Sequence, residues 1–335
     1  MILVTGGTGL LGAHLLYRLA NNNETVRAIY RTEQKLDNVK SVFSCYTDDY
    51  KPLMDSIEWV QADILDIPLL SEAFKDVTYV YHCAAFVSFE PDKYQLLRRT
   101  NIEGTANVVN LCISNTIKKL CYVSSISTTG NTSNNEPITE ETKWNQEADN
   151  SVYAITKYGA EMEVWRATQE GVDVVIVNPG VILGGGIWRD GSGSFFKKAH
   201  KGLRHYTKGT IGLVSVDDVI TIMILLTKSE IINERFILVA ENWTYKKFLQ
   251  SLAQSVNVKP PESVASPFVL KIAWRLDWLV HKLTGKRRQL TSHIVESLSS
   301  ETNYSNNKIV KAIDYKFKPI EETVTTVGCQ YLKQV

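Results

Sequence analysis

The chain has 335 residues and a net charge of +1, with 37 Lys and Arg against 36 Asp and Glu. That length buries a large core and accommodates one large α/β unit or two domains. Such balanced charge argues against a nucleic-acid binder and against an acidic tail.

The first stretch, 2–5, is apolar and rich in strand formers. Gly6-Gly7-Thr8-Gly9-Leu10-Leu11-Gly12 follows, and residues 12–21 continue with helical spacing. The glycines fit both G-x-G-x-x-G (Gly7, Gly9, Gly12) and G-x-x-G-x-x-G (Gly6, Gly9, Gly12). A strand, a glycine turn and a helix in that order form a phosphate site. Glycine lets backbone approach a pyrophosphate, and the N–H groups and positive end of the helix hold its charge.

Further strands are expected at 25–30, 57–61, 77–83, 120–124 and 173–178, with a late one at 235–240. Helices are expected at 69–74, 100–114 and 152–169. This alternation predicts a doubly wound parallel sheet. Residues 130–150, rich in Asn, Thr and Glu, read as a solvated loop. Five glycines in 184–194 read as a mobile loop. Beyond about 240 helical patterns dominate. The expected division is a dinucleotide-binding domain of 1–179 and 214–240, and a smaller, mostly helical substrate lobe of 180–213 and 241–335.

Cys45, Cys83, Cys112, Cys121 and Cys329 have no C-x-x-C spacing and read as free thiols in a reducing compartment. The six histidines form no H-x-x-x-H or Cys/His cluster, so no metal is expected. A strand opening at Met1 leaves no room for a signal peptide. The most apolar window, 219–226, is too short to span a bilayer. A cytoplasmic protein is expected.

Tyr153 and Lys157 stand four apart and share a helical face. A free phenol titrates near about 10, and a neighbouring cation lowers that value toward proton transfer at neutral pH. The same spacing recurs at Tyr304 and Lys308. Only Tyr153 opens a helix after a strand ending in Ser124-Ser125, so Tyr304 is set aside.

Taken in order, several motifs make the chain resemble an extended short-chain dehydrogenase/reductase of the NAD-dependent epimerase/dehydratase family over nearly its whole length. They are Thr5-Gly-Gly-Thr-Gly-Leu-Leu-Gly12, Asp63-Ile64, His82-Cys-Ala-Ala85 and Asn101-Ile-Glu-Gly-Thr105. Tyr122-Val-Ser-Ser125, Tyr153-x-x-x-Lys157, Asn178-Pro-Gly180 and Val214-Ser-Val-Asp-Asp218 complete the set. The resemblance implies a Rossmann fold with Tyr153 as general acid or base. Lys157 would hold the cofactor ribose and lower the Tyr153 pKa, and Ser125 would bond the reacting oxygen. Asn101 would hold a water in a relay to Lys157. The cofactor would lie along Gly6, Thr8, Gly9, Leu10, Leu11 and Gly12. Asp63 and Ile64 would bracket the adenine, Ala84, Ala85 and Ser124 would line the groove, and Pro179, Gly180 and Val181 would sit against the nicotinamide amide. His82 is expected to pack at a strand end.

Tyr30 stands where NAD-preferring relatives carry Asp. Arg31, helped by Lys35, is placed to pair with a 2′-phosphate. NADP(H) is therefore expected in preference to NAD(H). Ile126-Ser127 replaces the Asp-Glu pair of the family's dehydratases, and Thr210-Ile-Gly-Leu-Val214 lacks the Arg of its nucleotide-sugar epimerases. A diphosphate grip from Arg189 or Arg204 is still open. Residues 177–184 resemble dihydroflavonol-reductase-like and 3β-hydroxysteroid-dehydrogenase-like members, which act on apolar ketones, aldehydes or alcohols. The expected reaction is hydride transfer between NADP(H) and a small apolar carbonyl compound. An epimerase and a non-catalytic NADP-binding sensor or scaffold are the alternatives.

In the tail, Val269, Ile272, Ala273, Leu276, Leu279 and Leu283 share one helical face, with Lys271, Arg275 and Lys282 on the other. Trp274 and Trp278 flank the stripe, and Lys286-Arg287-Arg288 follows. The first reading is a helix packed on the substrate lobe, and the second is a helix lying on a membrane surface. By resemblance, a homodimer would pair through 100–114 and 152–169.

Overall fold

The computed structural model describes residues 1–132, 136–284, 288 and 290–335, with backbone alone at 267–269 and 271. Seven parallel strands form the central sheet. From one edge these are Glu234–Leu238, β6 (Val174–Pro179), β5 (Lys119–Val123), β4 (Tyr79–His82), β1 (Ile2–Thr5), β2 (Val26–Tyr30) and β3 (Glu58–Gln61). Order reverses between β1 and β4, which opens a crevice at the carboxyl ends of the strands.

Strand residues alternate between two cores. Val4, Cys121 and Val175 pack with Leu15, Leu16 and Met223 on one face. Leu3, Leu120 and Val174 pack with Val108, Ala160 and Val164 on the other. Both faces are covered by helices, which is why the strands read as continuous apolar runs.

A second sheet of three strands, Glu241–Thr244, Thr210–Ser215 and Val181–Leu183, lies beyond the first. Phe196, Leu213, Trp243, Phe248, Leu252 and Val324 form its core with the helices Gly193–His200, Tyr245–Ser255 and Ile320–Gln334. Thr210–Ser215 runs across the 213/214 boundary expected from sequence.

Several expectations are corrected. The helix expected from 100 begins with Tyr94–Leu97, continues as a π-helical turn over Arg98–Glu103, and becomes α-helical at Gly104–Ser114. The stretch 130–150 is not wholly solvated, because Ile138 and Glu140 are buried and Glu140 accepts from the Ile237 N–H at 2.8 Å. Ser133, Asn134 and Asn135 lie outside the described residues. Gly184, Gly185 and Gly186 are buried packing positions: a Cβ would meet Val216 at 2.9 Å, Gln330 at 2.3 Å and Val42 at 2.6 Å respectively. Gly193 opens a helix. The tail helix Pro267–Thr284 forms, but its apolar stripe faces outward instead of packing on the lobe: Ile272, Leu276, Leu279 and Leu283 are exposed. The side chains of Val269 and Lys271, and residues Lys286 and Arg287, lie outside the described residues. Among the described residues no helix is long and apolar enough to cross a membrane, and the five cysteines are free thiols.

Candidate active site

The glycine turn closes against β4. Gly6 has φ +70°, and a Cβ there would come within 2.5 Å of the Ala84 nitrogen. A Cβ at Gly12 would meet the Gly6 carbonyl oxygen at 2.2 Å, so helix α1 (Leu10–Asn21) can start only if residue 12 is glycine. Gly9 is exposed, and a Cβ there would meet nothing nearer than 3.4 Å. Gly9 precedes α1 as its N-cap, without a side-chain cap, so the first-turn N–H groups of Leu10, Leu11 and Gly12 are left for an outside acceptor. Asn38 ties down the turn by donating to the Thr8 carbonyl at 3.2 Å. An open backbone cradle at a helix N-terminus fits a dinucleotide pyrophosphate.

At the ends of β2 and β3, the half-buried Tyr30 ring meets Trp59 edge-on with centroids 6.4 Å apart. Arg31, 63% exposed, lies 4.0 Å from the Asp63 carboxylate. Asp63 also accepts from the Leu65 N–H at 3.0 Å. Lys35 is exposed in the short turn Glu33–Lys35. Ile64 turns its side chain inward, where a Cβ on Gly104 would strike it at 2.5 Å.

The other end of the crevice gathers the expected catalytic residues. Ser151 caps the helix Val152–Gln169 by accepting from the Ala154 N–H at 3.2 Å, which fixes Tyr153 in the first turn. Ser125 lies near enough to the Tyr153 hydroxyl to favour its ionised form. Phe89 lies against the Tyr153 ring at 5.3 Å between centroids. One turn on, buried Lys157 donates from Nζ to the Tyr122 hydroxyl at 2.6 Å and the Val123 carbonyl at 2.8 Å. Asn101 is buried inside the π-helical turn. Its amide nitrogen donates to the Phe86 carbonyl at 3.0 Å and Thr156 Oγ1 at 3.2 Å, while its oxygen accepts from the Phe86 N–H at 2.8 Å. Asn101 thus clamps the loop after β4, which carries half-buried Ala84 and exposed Ala85.

Ser124 and Ser125 point to different partners. Ser124 donates from Oγ to Glu161 at 2.5 Å, away from Tyr153. Glu161, fully buried, also accepts from Thr128 at 2.7 Å, Asn178 at 3.0 Å and Arg235 at 3.2 Å. Asn178 donates onward to the Ser125 carbonyl at 3.2 Å. One carboxylate therefore fixes the turn bearing Ser125 and the end of β6 that leads to Pro179, Gly180 and Val181. Sequence reading passed over Glu161. The available signal was its place four residues after Lys157 and eight after Tyr153, on their helix face.

Burial pushes the Tyr153 phenol up to about 12, against the lowering by Ser125. Burial also brings Lys157 down to about 7, opposed by Glu161. The expected lowering of Tyr153 by Lys157 is corrected: the ammonium is held by Tyr122 and Val123, and desolvation dominates at Tyr153. His82 bridges Thr5 at 2.6 Å and Thr105 at 2.9 Å, and burial lowers it to about 3. The second Tyr/Lys pair is separated: Tyr304 bridges Ile138 ahead of the helix Asn307–Ile313, where Lys308 pairs with Glu234.

The tail rims this end. Arg288 N–H donates to Glu90 at 3.4 Å, and His293 lies 3.8 Å from Asp149. The fold brings two carboxylate–imidazole groups together, Glu90, Asp92 and His281, and Asp149, His293 and Glu296, each with donor atoms within 4.8 Å. No sequence spacing announced them.

A doubly wound parallel sheet, an open glycine cradle and a Ser–Tyr–Lys cluster with half-buried Ser125 and Tyr153 and buried Lys157 define an NAD(P)-dependent α/β enzyme of the dehydrogenase/reductase type. The chain belongs to the NAD dependent epimerase/dehydratase family, whose model matches residues 2–236. It is 25% identical over 332 residues to a putative dihydroflavonol 4-reductase of Synechocystis sp., covering 96% of this chain and 91% of the relative. It is 26% identical over 304 residues to sterol demethylase protein B of Methylococcus capsulatus, covering 89% and 88%. The crystal structure of gox2253 superposes with a TM-score of 0.81 at 23% identity, covering 100% of this chain and 98% of that one.

Proposed function

We propose that the protein transfers hydride between NADP(H) and the carbonyl carbon of a small apolar ketone or aldehyde, or runs the reverse oxidation. The observation that carries this reading is Tyr153 beside Ser125 and one helical turn from buried Lys157. NADPH, when bound, supplies the hydride. Ser125 orients the substrate oxygen, and Tyr153 gives it a proton during reduction or takes one during oxidation. Burial keeps Tyr153 protonated at neutral pH, the form an acid needs. Lys157 holds the ribose, Asn101 fixes the loop beneath the cofactor, and Gly6, Gly9 and Gly12 leave room for the pyrophosphate. Arg31 favours a 2′-phosphate.

The family description keeps an epimerase as the second reading. The apolar segment before Val214, without an Arg, supports the reductase. NADPH fluorescence measured against a panel of ketones and aldehydes tests the choice. Loss of signal with at least one apolar carbonyl compound is expected. A tightly held dinucleotide by mass spectrometry, with no net oxidation across the panel, overturns it. A cytoplasmic location is proposed beside this reading, supported by the five free cysteines. A homodimer through residues 100–114 and Val152–Gln169, where Ile155 and Met162 stand exposed, is proposed with it from the family resemblance. Light scattering checks the dimer.

A further inference from the structure

The helix Pro267–Thr284 carries apolar residues on its outer face. At 100° per residue, Ile272, Leu276, Leu279, Val280 and Leu283 fall within an arc of about 100°. They are 42%, 57%, 44%, 49% and 75% exposed. Half-buried Leu270, Ala273, Trp274, Asp277 and His281 form the opposite, protein-facing side. A soluble helix normally buries its apolar arc, so this one is inverted.

Charge says what covers it. Residues 268–288 hold six basic side chains and one acidic, Asp277, a net charge of +5 in a chain whose total is +1. Arg275 lies over the Trp274 ring at 4.9 Å and Lys282 over the Trp278 ring at 5.2 Å. Apolar residues flanked by cations and tryptophans match the layered chemistry of a lipid headgroup boundary. Pairing with a second copy would set one +5 segment against another.

We infer that the helix Pro267–Thr284 docks the protein on an anionic lipid surface, with Ile272, Leu276, Leu279, Val280 and Leu283 inserted among the acyl chains. The helix adjoins the active-site rim through its protein-facing side, where His281 lies with Glu90 and Asp92. The chain after the helix reaches Glu90 through the Arg288 N–H, and Phe89 beside it packs on Tyr153. An apolar substrate dissolved in the lipid would thus enter beside its site. That last step rests on the proposed reductase activity, whereas the docking does not.

Flotation of the full chain tests docking without any substrate. With phosphatidylcholine vesicles containing phosphatidylglycerol at low salt, the protein floats; with phosphatidylcholine alone it stays at the bottom. Leu276→Glu with Leu283→Glu abolishes flotation while melting temperature and NADPH binding hold. Lys282→Glu weakens vesicle binding about tenfold. Lipids bearing a doxyl quencher dim the tryptophan fluorescence of the parent more than that of Trp278→Phe, a readout independent of how the Glu variants fold. Failure to float on anionic vesicles at low salt overturns the inference, as does undiminished flotation of the double variant. A vesicle-free dimer that the double variant dissolves assigns the face to a second copy instead. A protein that floats but oxidises NADPH with no carbonyl compound sinks the reductase reading and leaves the docking intact.

Discussion

Two helices, Val152–Gln169 and Pro267–Thr284, have the same length of 18 residues and opposite relations to the protein. The first carries a half-buried Tyr and, in the next two turns, a buried Lys and a buried Glu, each of these two with hydrogen-bond partners. The second turns leucines and a valine to solvent. Chemistry needs polar groups held in a dry, fixed frame, where a charge is strong because its partners are few. A surface-seeking helix needs the reverse, with apolar atoms free of the protein. Composition sets the two helices apart in part, since Val152–Gln169 has two bases against two acids and Pro267–Thr284 three against one, and the direction of each face completes the difference.

That contrast can be broken most severely at Tyr153. Tyr153→Phe is expected to lose about 10²- to 10⁴-fold in turnover with dinucleotide affinity kept, the loss typical of a missing acid. Steady-state rates beside fluorescence titration measure both, and an unimpaired variant would show the buried frame to be structural only. Arg31→Ala should cost about tenfold in NADPH affinity and leave NADH untouched. A preference for NADH in the unmutated protein would remove the 2′-phosphate from the account.

Glu161 sharpens the comparison from inside the frame. Its charge opposes the burial that brings Lys157 down to about 7. Dinucleotide affinity should therefore weaken as pH rises through 7. Glu161→Gln should move that midpoint down, with less effect on affinity at low pH. A uniform loss at every pH would make Glu161 a packing residue. A separate effect concerns folding. Burial lowers His14 to about 4 and His82 to about 3, so between about 6.5 and those values the unfolded chain binds protons that the folded chain refuses. Melting temperature should fall as pH drops below about 6.5, and His14→Gln should flatten part of that fall.

The central sheet was legible because strands buried on both faces write themselves as short apolar runs, and the glycine turn because backbone contacts at Gly6 and Gly12 exclude every other residue. Tyr153 and Lys157 were legible from spacing and order. Glu161 was not, since a glutamate in mid-helix reads as a solvent-facing charge until Ser124, Thr128, Asn178 and Arg235 converge on it from distant parts of the chain. The rise in the Tyr153 pKa depends on desolvation, which spacing does not report. The tail stripe was visible as periodicity, but an amphipathic pattern defines two faces without saying which one meets protein. The buried Glu140 hid in a polar stretch because its partner, the Ile237 backbone, is 97 residues away.

Hydride transfer itself is best followed by isotope. With NADPH carrying deuterium at the nicotinamide C4, the protein and an apolar ketone should yield an alcohol deuterated at the carbinol carbon, with one NADP⁺ released per alcohol formed. Deuterium that stays on a retained dinucleotide, with no alcohol produced from any carbonyl compound tried, would contradict the account.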